Sequence, residues 1–272
     1  DVYVQYCNFY QTRLYIEPDN GLLNSVIVQN CMFDNCQNTG IHSGNNILIK
    51  NCTYLNCPYW AITIHKNNLS GGVELKKLAV ESFDNTNAIS LRNINSVLMD
   101  SCLIANGNSG ILIRGVNNLV ISNNNLSQVV TGITVGEKPR PPEEIALNQI
   151  SIRNNIIQAE RTGIIFYENS YTTISIKSNE LLISAADSTT GISIDFSTDV
   201  ILQNTVIKGN DITGGEIGIG ITNNTDVGIS GNVLTGDVNG SSTFGIFISN
   251  GSEAFISNNS IINFLTGISL NM

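Results

Sequence analysis

The chain has 272 residues, 42 % of them hydrophobic and only 13 % charged, with a formal net charge of −9. That balance excludes a protein that wraps a nucleic-acid backbone, which needs a basic stripe to displace counterions. No apolar run reaches the ~18 residues of a membrane-spanning helix, and the abundance of Asn, Ser, Thr and Gly implies a neutral polar surface over a sizeable core.

Taken in chain order, Asp1 to Phe9 reads as strand, and from Arg13 a four-residue phrase begins to recur. Loose copies start at Arg13, Gly40, Ala61 and Ala88. A clean Gly-Ile-x-Ile follows at Gly110, Gly132, Gly163, Gly191, Gly218, Gly245 and Gly267. The ten steps from position 13 to position 267 average 25.4 residues and range from 21 to 31, so loops vary while strands keep phase. Between the copies lies a second phrase, apolar-x-x-Asn-x-apolar, whose Asn column is Asn124, Asn155, Asn179, Asn210, Asn232 and Asn259. The same phase upstream holds Cys7, Cys31, Cys52, Phe83 and Cys102.

Apolar residues alternate with period two in these short runs, and no segment sustains the three-and-four spacing of a helix. The expectation is an all-β, single-stranded, right-handed parallel β-helix of about eleven coils, one domain over residues 1–272. Coils would stack about 4.8 Å apart, roughly 50 Å in all, through right-handed crossovers. Stacked Asn amides would hydrogen-bond along their column and satisfy one another.

The six cysteines, Cys7, Cys31, Cys36, Cys52, Cys57 and Cys102, include two Cys-x4-Cys pairs that imitate a zinc site. Five strand residues set Cys31 roughly 16 Å from Cys36, too far for one tetrahedral ion. Stacking of Cys31 on Cys52 and of Cys36 on Cys57 suits buried thiols best. A disulfide between adjacent coils and a metal site stay open as alternatives.

The Gly-Ile-x-Ile copies and the Asn column resemble the right-handed parallel β-helix superfamily, whose best-known members are the pectate-lyase-like proteins. The resemblance implies that Gly-Ile-x-Ile is the first strand of each coil and that the Asn column is the turn between the second and third strands. It also implies that the outward face of the first-strand sheet grips polysaccharide.

Counted from each Gly, one outward column should read Tyr15, His42, Thr63, Ser90, Leu112, Thr134, Ile165, Ser193, Gly220, Phe247 and Ser269. The next should read Glu17, Gly44, His65, Arg92, Arg114, Gly136, Tyr167, Asp195, Thr222 and Ser249. His42, His65, Arg92, Arg114 and Tyr167 are therefore the expected ligand-binding residues. Arg offers a fork that fits carboxylate or sulfate, and Tyr167 and Phe247 offer faces to sugar rings. For glycoside hydrolysis, which uses two carboxylates about 5–9.5 Å apart, the best pair is Asp195 with Glu168. For elimination at a uronate, Arg92, Arg114 and Lys76 or Lys77 could supply the base and the cation. Neither the Gly-Asp-Asp phrase of polygalacturonase-like relatives nor the Arg-x-Pro-x-x-Arg phrase of pectate lyases occurs. No cofactor is expected and no residue is assigned to a metal; Ca2+, and a divalent ion held by His42 with His65, stay open.

The loop from Gly136 to Glu144 carries Pro139, Pro141 and Pro142, which cannot pair as strand and so must project beside the first-strand sheet. The segment Asn67 to Glu74 leaves the sheet at the same edge. The chain opens at Asp1 without Met or a leader-like stretch, and neither end reads as a cap. It therefore reads as a segment of a longer chain whose ends are covered by flanking domains or by other copies. The leading expectation is an extracellular, cell-surface or virion β-helix that binds polysaccharide or cell-surface glycan, an anionic one among the candidates, and, if it is an enzyme, cleaves it as a polysaccharide lyase or glycoside hydrolase. The rival is a structural shaft or adhesin of a surface or phage-tail assembly.

Overall fold

The computed structural model describes residues 1–17, 23–42, 44–66, 71–82, 86–136, 147–167, 171–184, 188–195, 204–223, 226–238, 242–250 and 253–271. Every regular element among them is a strand, and every ladder is parallel. Each coil contributes to three sheets. The first includes Thr39–Ile41, Ile62–His65 and Thr190–Asp195, the second Ser25–Gln29, Asn46–Lys50 and Gly72–Lys76, and the third Met32–Asp34 and Thr53–Cys57. Successive coils align residue on residue. One second-sheet column runs Val2, Val26, Ile47, Val73, Val97, Leu119, Ile150, Ile174, Thr205, Val227, Ala254, eleven residues deep.

The period-two pattern is the reason these segments are strands. In Ser25–Gln29, Val26 and Val28 are fully buried while Ser25, Ile27 and Gln29 face out, and the same alternation recurs in Asn46–Lys50. Inward Ile, Val and Leu columns fill the lumen, each buried side chain worth about 1.5–3 kcal/mol against exposure. In the first coils Phe9, Phe33 and Tyr54 stack ring on ring with centroids 4.7 and 4.6 Å apart.

The repeated glycine is a matter of space. A Cβ on Gly191 would lie 2.5 Å from Ile212 Cγ2 and 2.6 Å from Gly218 O, and one on Gly245 would lie 2.3 Å from Ile261 Cγ2. In this rank the first strand runs against both the next coil's backbone and the third strand's aliphatic side chains. Ala61 and Ala88 hold the same rank nearer the N terminus. The second copy begins at Asn38 rather than at Gly40, because Thr39 pairs with Leu14 and Ile62.

The Asn column is a continuous ladder. The side-chain N–H of Asn124 donates to Asn155 Oδ1 at 2.9 Å, and Asn155, Asn179, Asn210 and Asn232 each donate likewise to the next Asn. Each Oδ1 also accepts the backbone N–H of the Asn before it, and the second side-chain hydrogen goes to a strand carbonyl such as Ile121 O or Ile152 O. The ladder starts where Cys102 N–H donates to Asn124 Oδ1 at 2.9 Å.

Upstream the column is Cys7, Cys31, Cys52, Leu78 and Cys102. Leu78, not Phe83, fills the fourth place, since Ala79 pairs with both Thr53 and Leu103. Phe83 lies outside the described residues. All six cysteines are free thiols, and those of Cys31, Cys52 and Cys102 sit 3.2–3.7 Å from strand carbonyls. Burial pushes the Cys52 and Cys102 thiols up to about 11 and Cys57 to about 12, so they are inert as nucleophiles at neutral pH. The residue before each column member takes a positive φ, as Asn30, Asn51, Asn123 and Asn154 do at 51–57°. Asn tolerates that conformation, whereas Lys77 (φ 52°) and Tyr6 (φ 55°) hold it against the Cβ penalty.

Candidate functional site

The outward side of the first sheet carries two columns, and the register corrects one of them. Gly40 pairs with Tyr15 and Thr63, so it, and not His42, stands in the first column. His42 follows Ile41, which pairs with Ile64, and so stands level with His65 in the second column, where Gly44 was expected. That column therefore runs Glu17, His42, His65, Arg92, Arg114, Gly136, Tyr167, Asp195, Thr222 and Ser249. Four basic side chains stand on four successive coils, about 4.8 Å apart.

Their surroundings are tight. The first outward column is recessed: Ser90 is 4 %, Leu112 7 % and Thr134 9 % exposed although each points away from the lumen. The His42 and His65 rings meet edge to face with centroids 6.1 Å apart, and Tyr15 lies 5.1 Å from His42 on the other side. Tyr15 Oη donates to Glu17 Oε2 at 2.5 Å, and Arg13 sits over the Tyr15 ring. Asn93 Nδ2 lies 3.5 Å from His65 Nε2. Burial first, then the charge of Arg92 and the neighbouring His42, hold the His65 imidazole below its ordinary value, so it is neutral at pH 7. Arg92 Nε is buried and has no hydrogen-bond partner among the described residues.

Beyond Gly136 the column changes character. The register sets Asp195 on the coil after Tyr167, and burial, then the charge of Asp195, raise the Tyr167 phenol. Glu168 lies outside the described residues. The other described carboxylate of this column, Glu17, stands seven coils from Asp195, roughly 34 Å, far beyond hydrolytic spacing. Lys76 and Lys77 belong to the second sheet and the turn after it, with Lys76 paired to Glu74 at 2.7 Å, so neither joins Arg92. The projecting loop after Gly136 and the segment 67–70 lie outside the described residues, and the described ones hold no cluster of three metal-ligating side chains.

Comparison with solved structures finds chains of similar course. The chain is similar to the surface protein and adhesin PfbA of Streptococcus pneumoniae, at 12 % identity and TM-score 0.44, covering 92 % of each chain. It is similar to a hyperthermoactive exopolygalacturonase of Thermotoga maritima, at 11 % identity and TM-score 0.43, covering 92 % of this chain and 84 % of that one. A tailspike of E. coli bacteriophage HK620, solved with a pentasaccharide, matches at 8 % identity and TM-score 0.42, over 95 % of this chain and 60 % of that one. The likeness is one of fold. No family profile and no curated protein sequence matches.

Two outer features escaped the sequence reading because they lie on the second sheet. Arg153, Lys177 and Lys208 stack on successive coils but are all exposed, unlike the half-buried Arg92 and Arg114. A recess of about 720 Å³ lies over Ile27, Leu48, Leu98 and Val120. Alternation with Val26, Ile47, Val97 and Leu119 predicts each of these residues to face out, and the register stacks them in one column with Glu74 between Leu48 and Leu98.

Proposed function

We propose that the first-sheet face binds a polysaccharide bearing acidic groups, with His42, His65, Arg92 and Arg114 as the anion-receiving column and Tyr167 at its far end. The observation that carries this reading is Arg92, whose Nε is withdrawn from water and bonded to nothing among the described residues. A half-buried guanidinium is poorly hydrated, and an incoming carboxylate or sulfate would gain a charge-assisted bond from its terminal N–H groups. The exposed Arg153–Lys177–Lys208 column lacks that incentive. Such a protein would work outside the cell, on a cell surface or on a virion. Cleavage, through Asp195 with Glu168, would make it a lyase or glycosidase.

Titration calorimetry with oligogalacturonate and a heparin-derived hexasaccharide tests the reading, alongside a reducing-end assay. Binding should weaken at least about tenfold in Arg92→Ala and in Arg114→Ala, and should tighten as pH falls below 6.5, the ordinary imidazole value, because His65, held below that value, must take up a proton to join the column. An acidic-glycan panel without response, or one indifferent to both substitutions, would leave the structural shaft as the better account.

A further inference from the structure

Most glycines in the first sheet are forced by their neighbours, but Gly220 is not. A Cβ there would make only ordinary contacts, 3.5 Å to Ile217 Cγ2 and 3.8 Å to Thr190 Cγ2, and its φ is not positive. Glycine inside a strand weakens it by roughly 0.5–1 kcal/mol and marks a place of close approach when the backbone does not demand it. Gly220 faces outward in the middle of Ile217–Thr222, with Ser193 on the coil before and Phe247 on the coil after. No Phe247 ring atom comes within 4 Å of that Cβ position. The missing side chain thus leaves a notch two coils deep, roughly 10 Å from Ser193 to Phe247. Phe244 braces the aromatic wall, its ring centroid 5.1 Å from that of Phe247. Along the flank stand Asp195, Thr222 and Ser249, the last donating to Thr222 Oγ1 at 3.3 Å.

We infer that this notch is a sugar subsite for an uncharged pyranose. The ring's C–H face would stack on Phe247, and its hydroxyls would meet the Asp195 carboxylate and the Thr222 and Ser249 hydroxyls. The strands Thr190–Asp195, Ile217–Thr222 and Phe244–Ser249 contain no Lys or Arg. With Asp195 the sole charge there, an acidic sugar is disfavoured. This rests on the reading of the face as glycan-binding and adds to it. One face would take acidic residues near Arg92 and neutral ones near Phe247, as a mixed heteroglycan presents them.

The test uses saturation-transfer NMR on the full chain with neutral hexaoses of glucose, mannose, galactose and N-acetylglucosamine, and with oligogalacturonate. At least one neutral hexaose should bind through its ring protons. It should lose about tenfold in affinity in Gly220→Thr and Phe247→Ala, and remain unchanged in Arg92→Ala. Gly228→Thr, at an equally open glycine on the second sheet, serves as control and should leave binding intact. Both threonine variants should melt at or above the wild-type temperature. If no neutral hexaose binds, if Gly220→Thr leaves binding intact, or if it lowers the melting temperature, the subsite is overturned. Oligogalacturonate binding that Arg92→Ala abolishes would in that case leave the acidic column standing, whereas neutral binding without acidic binding would do the reverse.

Discussion

Asp100 closes the strand Asn87–Asp100 just before the turn column, and its carboxylate accepts hydrogen bonds from Ser101, Ser122 and Asn123 at 2.7–2.9 Å. Burial works to raise its pKa, but those three donors and the charge of Lys76 outweigh it, and the net displacement is downward. A carboxylate lowered in the folded state stabilises the protein above its unfolded value, about 3.9, and that contribution is lost as pH falls through the folded value. Asp100→Asn should therefore melt below wild type at pH 7, with the gap closing as pH approaches 3. Thermal scans across that range would expose the error if the gap stayed constant.

Among the elements, the first-sheet strands show most directly why the repeat reads as it does. The Gly191 rank has no room for a methyl group, so Gly191→Ala should cost about 1–3 kcal/mol, measured as a drop in the urea midpoint, while Gly220→Ala costs far less. Strand and phase were legible wherever Gly-Ile-x-Ile kept its form, because that phrase combines the inward alternation with the glycine that packing requires. Phase slipped where the phrase was loose. Gly40 imitates the repeat glycine but is an outward residue, so counting from it displaced His42 by one column. Leu78 was invisible because Lys77, which precedes it, holds a left-handed conformation that nothing in a lysine announces. The proposed ligand-binding residues His65, Arg92, Arg114 and Tyr167 fell in the column expected for them, but the recession of Ser90, Leu112 and Thr134 could not be read from alternation, which separates inside from outside and says nothing of what shields the outside.

At the scale of the molecule, a solenoid's stability is a sum over junctions between neighbouring coils. From Asn124 onward each junction gains two ladder hydrogen bonds, a net of about 0.5–1.5 kcal/mol apiece. The earlier junctions have thiols, which are weak donors, and at one place Leu78, which donates nothing. Hydrogen–deuterium exchange followed by mass spectrometry should show slower exchange in the coils from Asn124 to Asn259 than in those from Cys7 to Cys102, and Asn155→Ala should erase the difference locally. Uniform protection along the chain would contradict this.

Each ladder amide gives its backbone N–H and one side-chain proton to the Asn Oδ1 of the coil that follows, while its own Oδ1 receives from the coil that precedes; its other side-chain proton goes back to a strand carbonyl of the preceding coil. The array is thus one-way, and trimming it from opposite ends is not equivalent. Removing coils from the back strands two N–H groups of the last amide remaining, on its backbone and its side chain, whereas removing them from the front strands one side-chain N–H and the Oδ1, and proteins leave oxygen under-satisfied more readily than N–H. The cheaper cut is the one made at the front.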